Sequence, residues 1–195
     1  MKRVTNLLLA IMAMLSVSAQ PTLFNKTTPG FSKAIETILG DFPYNYKHIT
    51  GELVQKDGDH ERFASTVTLP GAEHCLVGLY HSELDTTASW QALMLRAEEF
   101  DKAAKEYKRL YHQLNQCKLR MVDGSVYYLA GNFESVTEAT DFVVSELKIQ
   151  TADERYRDFK VELEMLYELD QWLVNINIVT RKKDSEMKPD WMADK

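Results

Sequence analysis

The residues best suited to metal binding or acid–base chemistry are the histidines, and no two have the spacing of a shared site. They are His48, His60, His74, His81 and His112. Neither the HxH nor the HExxH pattern, which brings two imidazoles onto one metal ion, occurs among them. His60 and Glu61 follow the acidic pair Asp57 and Asp59, where a divalent ion could bind weakly, but a solvated acidic turn explains the same residues. We predict no metal site and no cofactor.

Two pairs of neighbouring residues could serve catalysis. Cys75 follows His74, but consecutive residues of a strand point to opposite faces, so they cannot form a nucleophile–base pair. Glu162 and Glu164 share a strand face about 6.5–7 Å apart, which would suit acid–base chemistry on a sugar. Alternating surface glutamates, continued by Lys160, explain them as well. Since phosphate-binding glycine patterns are also absent, we predict no catalytic residue and lean against an enzyme.

The beginning of the chain has the three parts of a secretory signal peptide. Lys2 and Arg3 precede an apolar run at residues 7–15, and small residues at 17–19 come after it. An uncleaved membrane anchor is the alternative, but a span needs about 20 apolar residues. We predict that residues 1–19 are removed, that no membrane span remains, and that the chain is exported to the periplasm or the cell exterior.

The two cysteines, Cys75 and Cys117, both fall in the predicted mature part. In an oxidising compartment such a pair usually forms a disulfide, and we predict one between them. Two buried thiols or an intermolecular bond are the alternatives. The formal net charge is −6, from 23 basic and 29 acidic side chains. Such an acidic chain without a basic cluster is unsuited to nucleic acid, because binding requires neutralisation of phosphates by lysine and arginine.

The hydrophobic pattern predicts an α+β fold made of two tandem units. Apolar residues at helical spacing predict helices near residues 31–42 and 97–116, and alternating residues predict four strands after each helix. Short echoes support the duplication: residues 31–34 resemble 100–103, and 49–53 resemble 129–133. We predict one domain at residues 20–183, with repeats at about 31–96 and 97–183, and a polar tail at 184–195.

The two units together predict one antiparallel sheet of about eight strands, with two helices on one face. This order of elements resembles the tandem arrangement of TATA-box-binding-like folds and of secreted β-lactamase-inhibitor-like proteins. The resemblance is one of architecture alone. No motif residues carry it, so no functional residue is transferred from those families.

The uncovered face of this sheet is the predicted interaction surface. By strand alternation Leu76, Tyr80, Leu93 and Leu95 lie opposite the core residues Val77, Leu79 and Trp90, where the second unit has Asn175 and Asn177. An exposed apolar patch often marks a binding site. The preferred interpretation is therefore a non-catalytic exported protein that binds another protein or a cell-envelope component. A small-ligand carrier with a pocket between sheet and helices, an exported hydrolase and a structural or assembly role are the alternatives, and the oligomeric state stays open.

Overall fold

The computed structural model describes residues 29–81 and 86–180 of the 195-residue chain. Within these ranges the chain forms two α-helices and nine strands. The helices are α1 (Pro29–Asp41) and α2 (Phe100–Leu114). The strands are β1 (Thr50–Asp57), β2 (His60–Ser65), β3 (His74–His81), β4 (Thr86–Ala97), β5 (Lys118–Arg120), β6 (Val126–Gly131), β7 (Phe142–Ile149), β8 (Phe159–Glu168) and β9 (Gln171–Thr180). The predicted signal peptide and polar tail lie outside the described residues.

All nine strands belong to one antiparallel sheet with the order β1-β2-β3-β4-β9-β8-β7-β6-β5. The α+β class and the antiparallel sheet are therefore confirmed, with nine strands instead of about eight. The additional strand is the three-residue β5, which pairs with β6 at the sheet edge. Gly58 and Gly124 lie in tight turns between strands and have positive φ values. Glycine adopts this conformation without the strain that a side chain would cause.

The core forms between the two helices and one face of the sheet. Three completely buried residues lie side by side across the centre of the sheet: Trp90 of β4, Ile178 of β9 and Val161 of β8. Helix α1 adds Ile35 and helix α2 adds Leu110 to the same cluster of buried side chains. Burial of apolar surface, at about 25 cal/mol per Å², is the main stabilising contribution to this core. Because apolar side chains alternate with polar ones along β8 and β9, the helices cover the apolar face of these strands.

The segment between α1 and β1 is the clearest local departure from the predicted strand. The alternation near Tyr46 predicts a strand from that residue to about residue 54, whereas β1 begins at Thr50. Asn45 and Tyr46 have φ values of 53° and 59°, in the left-handed region that excludes an extended strand. Tyr46 is instead a fully buried loop residue.

A β-bulge in β4 changes the facing of Leu95. Leu93 pairs with Asn175, but the register shifts before Leu95, which pairs with Val174. Because an inserted residue reverses the facing of the residues after it, Leu95 is on the core side and packs against the core cluster. The prediction that Leu95 shares a face with Leu93 is wrong for this reason.

The predicted disulfide between Cys75 and Cys117 is absent. Both residues are free, buried thiols. The Cys117 thiol donates a hydrogen bond to the carbonyl of Gln113 at 3.2 Å. Gln113 lies four residues earlier, in the last turn of α2. Both cysteines belong to the apolar core, where free cysteine commonly behaves as a small hydrophobic residue.

Candidate binding face

The face of the sheet opposite the core, which we call the open face, carries a row of polar side chains across its centre. Gln91 of β4 pairs with Asn177 of β9, Asn177 with Glu162 of β8, and Glu162 with Glu146 of β7. Directly opposed side chains lie about 4.5–5.5 Å apart at Cβ, close enough to interact. The register therefore places amides and carboxylates side by side across four strands.

Several side chains at the centre of the open face are nearly inaccessible to water. Leu93 is 4% exposed, Asn175 is 7% exposed and Glu162 is 4% exposed, although both helices pack on the other face. A buried carboxylate is costly unless other groups compensate it. The centre of this face is accordingly a packed polar surface, and the more accessible groups lie toward the two sides.

On the side of β6 and β7, the open face has a pocket of about 460 Å³. Ala130, Val144, Glu146 and Lys148 are among its lining residues. Glu146 contacts Lys160 at 3.0 Å and Lys148 at 3.8 Å between the charged atoms. These partly exposed ion pairs contribute little to stability, but they neutralise the carboxylate that faces this pocket.

On the side of β2 and β3, the open face has a pocket of about 230 Å³. Gly78 lies in its lining between Leu76 and Tyr80 on β3. A Cβ atom at Gly78 would be 2.9 Å from Ser89 Oγ, so any larger residue would both collide with Ser89 and reduce the pocket. His60 and Tyr80 form one wall, with ring centroids 4.5 Å apart.

Arg62 supplies the cationic group of this pocket. Among the described arginines, Arg96, Arg109, Arg155 and Arg157 each contact a carboxylate. Arg62 has no such ion pair within the described ranges. Its neighbour Glu61 also borders the pocket, but alternation along β2 turns its side chain toward the other face, where it contacts Lys56 at 2.6 Å and His81 at 3.3 Å. The hydrogen bond with Lys56, and to a smaller extent that with His81, holds the pKa of Glu61 below its usual value.

A second pocket extends this site toward the sheet edge. It measures about 260 Å³ and is lined by Gln55, Asp57, His60 and Arg62. His60 and Arg62 thus belong to both pockets, which together form a groove from Gln91 on β4 to Gln55 on the edge strand β1. We call it the Arg62 groove. Its base is strand backbone, and its walls combine aromatic, aliphatic and cationic side chains.

The structure places the predicted surface residues in three different settings. Leu76 and Tyr80 line the Arg62 groove, and Tyr80 is 44% exposed. Leu93 lies on the open face but is buried, and Leu95 lies on the core side. His60 and Arg62 were not predicted as site residues. The β2 alternation, with Phe63 as a core residue, contains the signal for Arg62, because Arg62 precedes Phe63 and therefore faces the other way.

Within residues 29–81 and 86–180, no group of three or more His, Cys, Asp or Glu side chains is arranged to hold a metal ion. In the same ranges, neither helix has the length and apolarity that crossing a membrane requires. No protein-family model and no curated protein sequence matches the chain. The geometry of the open face is therefore the basis for a functional assignment.

Proposed function

We propose that this chain is an exported, non-catalytic binding protein that holds a segment of another protein on its open face. The observation that carries the proposal is the Arg62 groove, because it combines a solvent-accessible aromatic wall with a guanidinium that lacks an ion pair among the described residues. Interfaces between proteins are enriched in such aromatic and arginine side chains relative to the remaining surface.

The pockets lined by the described residues favour a protein segment over a small molecule. Pockets of about 230, 260 and 460 Å³ are spread over the open face from β1 to β7. A small-molecule site usually gathers its contacts in one cleft that buries most of the ligand. Successive shallow openings across the sheet, including the two joined pockets of the Arg62 groove, match the successive side chains of an extended segment.

Export and duplication belong to the same proposal. The signal-peptide pattern at residues 1–19 would bring the open face to partners outside the cytoplasm. Duplication of a unit at residues 31–96 into one at 97–183 is supported by the sheet order, because β1–β4 and β6–β9 occur in opposite orders about the β4–β9 contact. After duplication the two sides of the open face would have diverged, one keeping an unneutralised arginine and the other pairing its glutamate with lysines.

The experiment is a selection of random peptides displayed on phage against immobilised protein. Three forms are compared: the unchanged protein, Leu76→Glu in the Arg62 groove, and Val122→Glu as a matched control. Val122 is an exposed residue of the turn between β5 and β6 and does not line the groove. Each form is first checked by circular dichroism and thermal unfolding, so that a misfolded variant is recognised before selection.

We expect enrichment of a common peptide pattern by the unchanged protein and by Val122→Glu, and loss of that pattern with Leu76→Glu. A buried apolar contact replaced by a charge usually weakens an interface by about tenfold or more. Enrichment that survives Leu76→Glu would move the binding site away from the groove. Failure of every form to enrich a pattern would overturn the proposed function itself.

A further inference from the structure

We propose that the Arg62 groove recognises a carboxylate side chain, adjacent to an apolar residue, in a segment of the partner protein. This inference rests on the proposed function and adds the chemical class of the ligand. It derives from three properties of the groove: the charge of Arg62, the apolar wall beside it, and the volume between them.

Glu61 borders the groove but is paired with Lys56, whereas the guanidinium of Arg62 lacks a carboxylate partner in the described part of the chain and is available to a ligand. A planar guanidinium binds carboxylates through two parallel hydrogen bonds, which makes arginine selective for them. Asp57 also lines the groove, at its β1 end, and it is paired in register with His60. Repulsion from Asp57 therefore directs an incoming carboxylate to the β3 side of Arg62.

The β3 side of Arg62 is the apolar part of the groove. Leu76, Tyr80 and the ring of His60 surround the space that Gly78 leaves open. Ser89 and Gln91 border the same pocket and can donate hydrogen bonds to a carboxylate oxygen that Arg62 does not engage. In a peptide, an acidic residue would contact Arg62 and the polar groups, and an adjacent aliphatic or aromatic residue would contact the apolar wall.

The volume limits what can enter. The pocket of about 230 Å³ is smaller than the roughly 300–1,000 Å³ of typical small-molecule sites. At about 30 Å³ per water molecule it is equivalent to roughly eight waters, which is the scale of one or two side chains. The β3 part of the groove is therefore matched to one or two side chains of a peptide, and the adjoining pocket of about 260 Å³ at β1 allows the peptide to continue.

The opposite side of the open face provides an internal comparison. There, Lys160 and Lys148 both contact Glu146 and Glu134 also lines the pocket, so these cations have carboxylates beside them, unlike Arg62. An acidic segment would thus be drawn to the β2–β3 side, and charge complementarity would set its position on the sheet.

The test uses peptides enriched by the unchanged protein, synthesised with fluorescein and with an amidated carboxyl end so that only side chains supply carboxylates. Each is compared with a version in which glutamate is replaced by glutamine. Affinities are measured by fluorescence anisotropy for the unchanged protein and for Arg62→Gln, Arg62→Glu and Arg120→Gln. Arg120 is the matched control, because it is exposed on β5 and, like Arg62, has no ion pair within the described residues.

We expect acidic residues in the enriched peptides, and about a tenfold loss of affinity on replacing either the peptide glutamate or Arg62, with no further loss when both are replaced. Arg62→Glu should bind the glutamate peptides more weakly than Arg62→Gln does, and Arg120→Gln should change nothing. Peptides without acidic residues that bind Arg62→Gln normally but lose binding to Leu76→Glu would overturn the carboxylate inference and leave the proposed function standing. Equal losses with Arg62→Gln and Arg120→Gln would show general electrostatic attraction and would also overturn the inference.

Discussion

The phenol of Tyr46 donates a hydrogen bond to the main-chain carbonyl of Ile178 at 3.0 Å. This bond joins the segment after α1 to β9, the central strand of the nine-stranded sheet. Tyr46 is fully buried and follows Asn45 in the left-handed region, which costs a non-glycine residue about 1–2 kcal/mol. The hydrogen bond and the edge-on contact with Phe42, at a centroid distance of 6.1 Å, offset that strain.

Replacing Tyr46 with phenylalanine should lower the free energy of unfolding by about 1–2 kcal/mol, because the carbonyl of Ile178 loses a buried donor. Urea unfolding followed by tryptophan fluorescence measures the change. Tyr44→Phe is the matched control, since Tyr44 is exposed, and it should change stability by less than about 0.5 kcal/mol. Equal effects of the two substitutions would show that the Tyr46 hydrogen bond contributes no stability.

The strongest strands were predictable because their side chains alternate without interruption. In β8 and β9, residues such as Val161 and Ile176 are apolar at every second position and are buried on the helix side. The facing of Leu95 could not be predicted in this way. Leu93 and Leu95 continue the alternation in the sequence, and the bulge between them arises from pairing with β9, a contact that local periodicity does not encode.

The candidate site was only partly predictable for a related reason. Leu76 and Tyr80 were predictable because they share a face of one strand. The groove also needs Arg62 opposite Gly78 and His60 opposite Tyr80, which depends on the register between β2 and β3. An arginine in a strand is usually a solvated surface residue, so only the register reveals that this one lines a pocket.

Gly131 and Gly40 should respond in opposite ways to alanine. A Cβ at Gly131 would collide with the main-chain oxygen of Glu146, so alanine must push β6 away from β7. We expect a loss of about 3 kcal/mol, at the upper end for overpacked sites. Gly40 lies in α1 with nothing within 4 Å of the added atom, and alanine there should gain about 0.5–1 kcal/mol through helix propensity.

Urea unfolding of both variants provides the measurement for these two glycines. The pair is informative because the substitution is chemically identical and only the surroundings differ. A stable Gly131→Ala protein would mean that the β6–β7 pairing can shift without cost. A destabilised Gly40→Ala protein would contradict the open surroundings of that position.

Ser145 holds the segment after β6 against helix α2. Its hydroxyl is within 2.7 Å of the Tyr107 hydroxyl and accepts a hydrogen bond from the main-chain N–H of Glu134 at 2.9 Å. Ser145→Ala leaves both groups without this partner and should cost about 1–3 kcal/mol. Hydrogen exchange at the Glu134 amide should accelerate selectively. The control Ser125→Ala removes an exposed hydrogen bond to Asp123 and should leave the Glu134 amide unchanged; acceleration in both variants would contradict the assigned role.

Cys117 should make stability sensitive to alkaline pH. Burial raises the pKa of its thiol from 9.0 to about 12, outweighing a hydrogen bond with Ser32 that lowers it. A thiol whose pKa is raised in the folded state contributes its full stability below the unfolded pKa near 9, and loses it as pH rises toward 12. The loss should be about 1.4 kcal/mol by pH 10, where the unfolded chain ionises and the folded chain does not.

Cys117→Ala should remove this component, so the free energies of unfolding of the two proteins should converge between pH 8 and about pH 10.5. Burial also raises the pKa of Tyr156 to about 12, and since Tyr156 is present in both proteins, its contribution cancels in the difference. Thiol titration in urea without reductant should return two reactive thiols from the unchanged protein, as expected for free Cys75 and Cys117. Detection of no thiol would restore the disulfide, and a pH-independent difference between the proteins would mean that Cys117 is not protected from ionisation by burial.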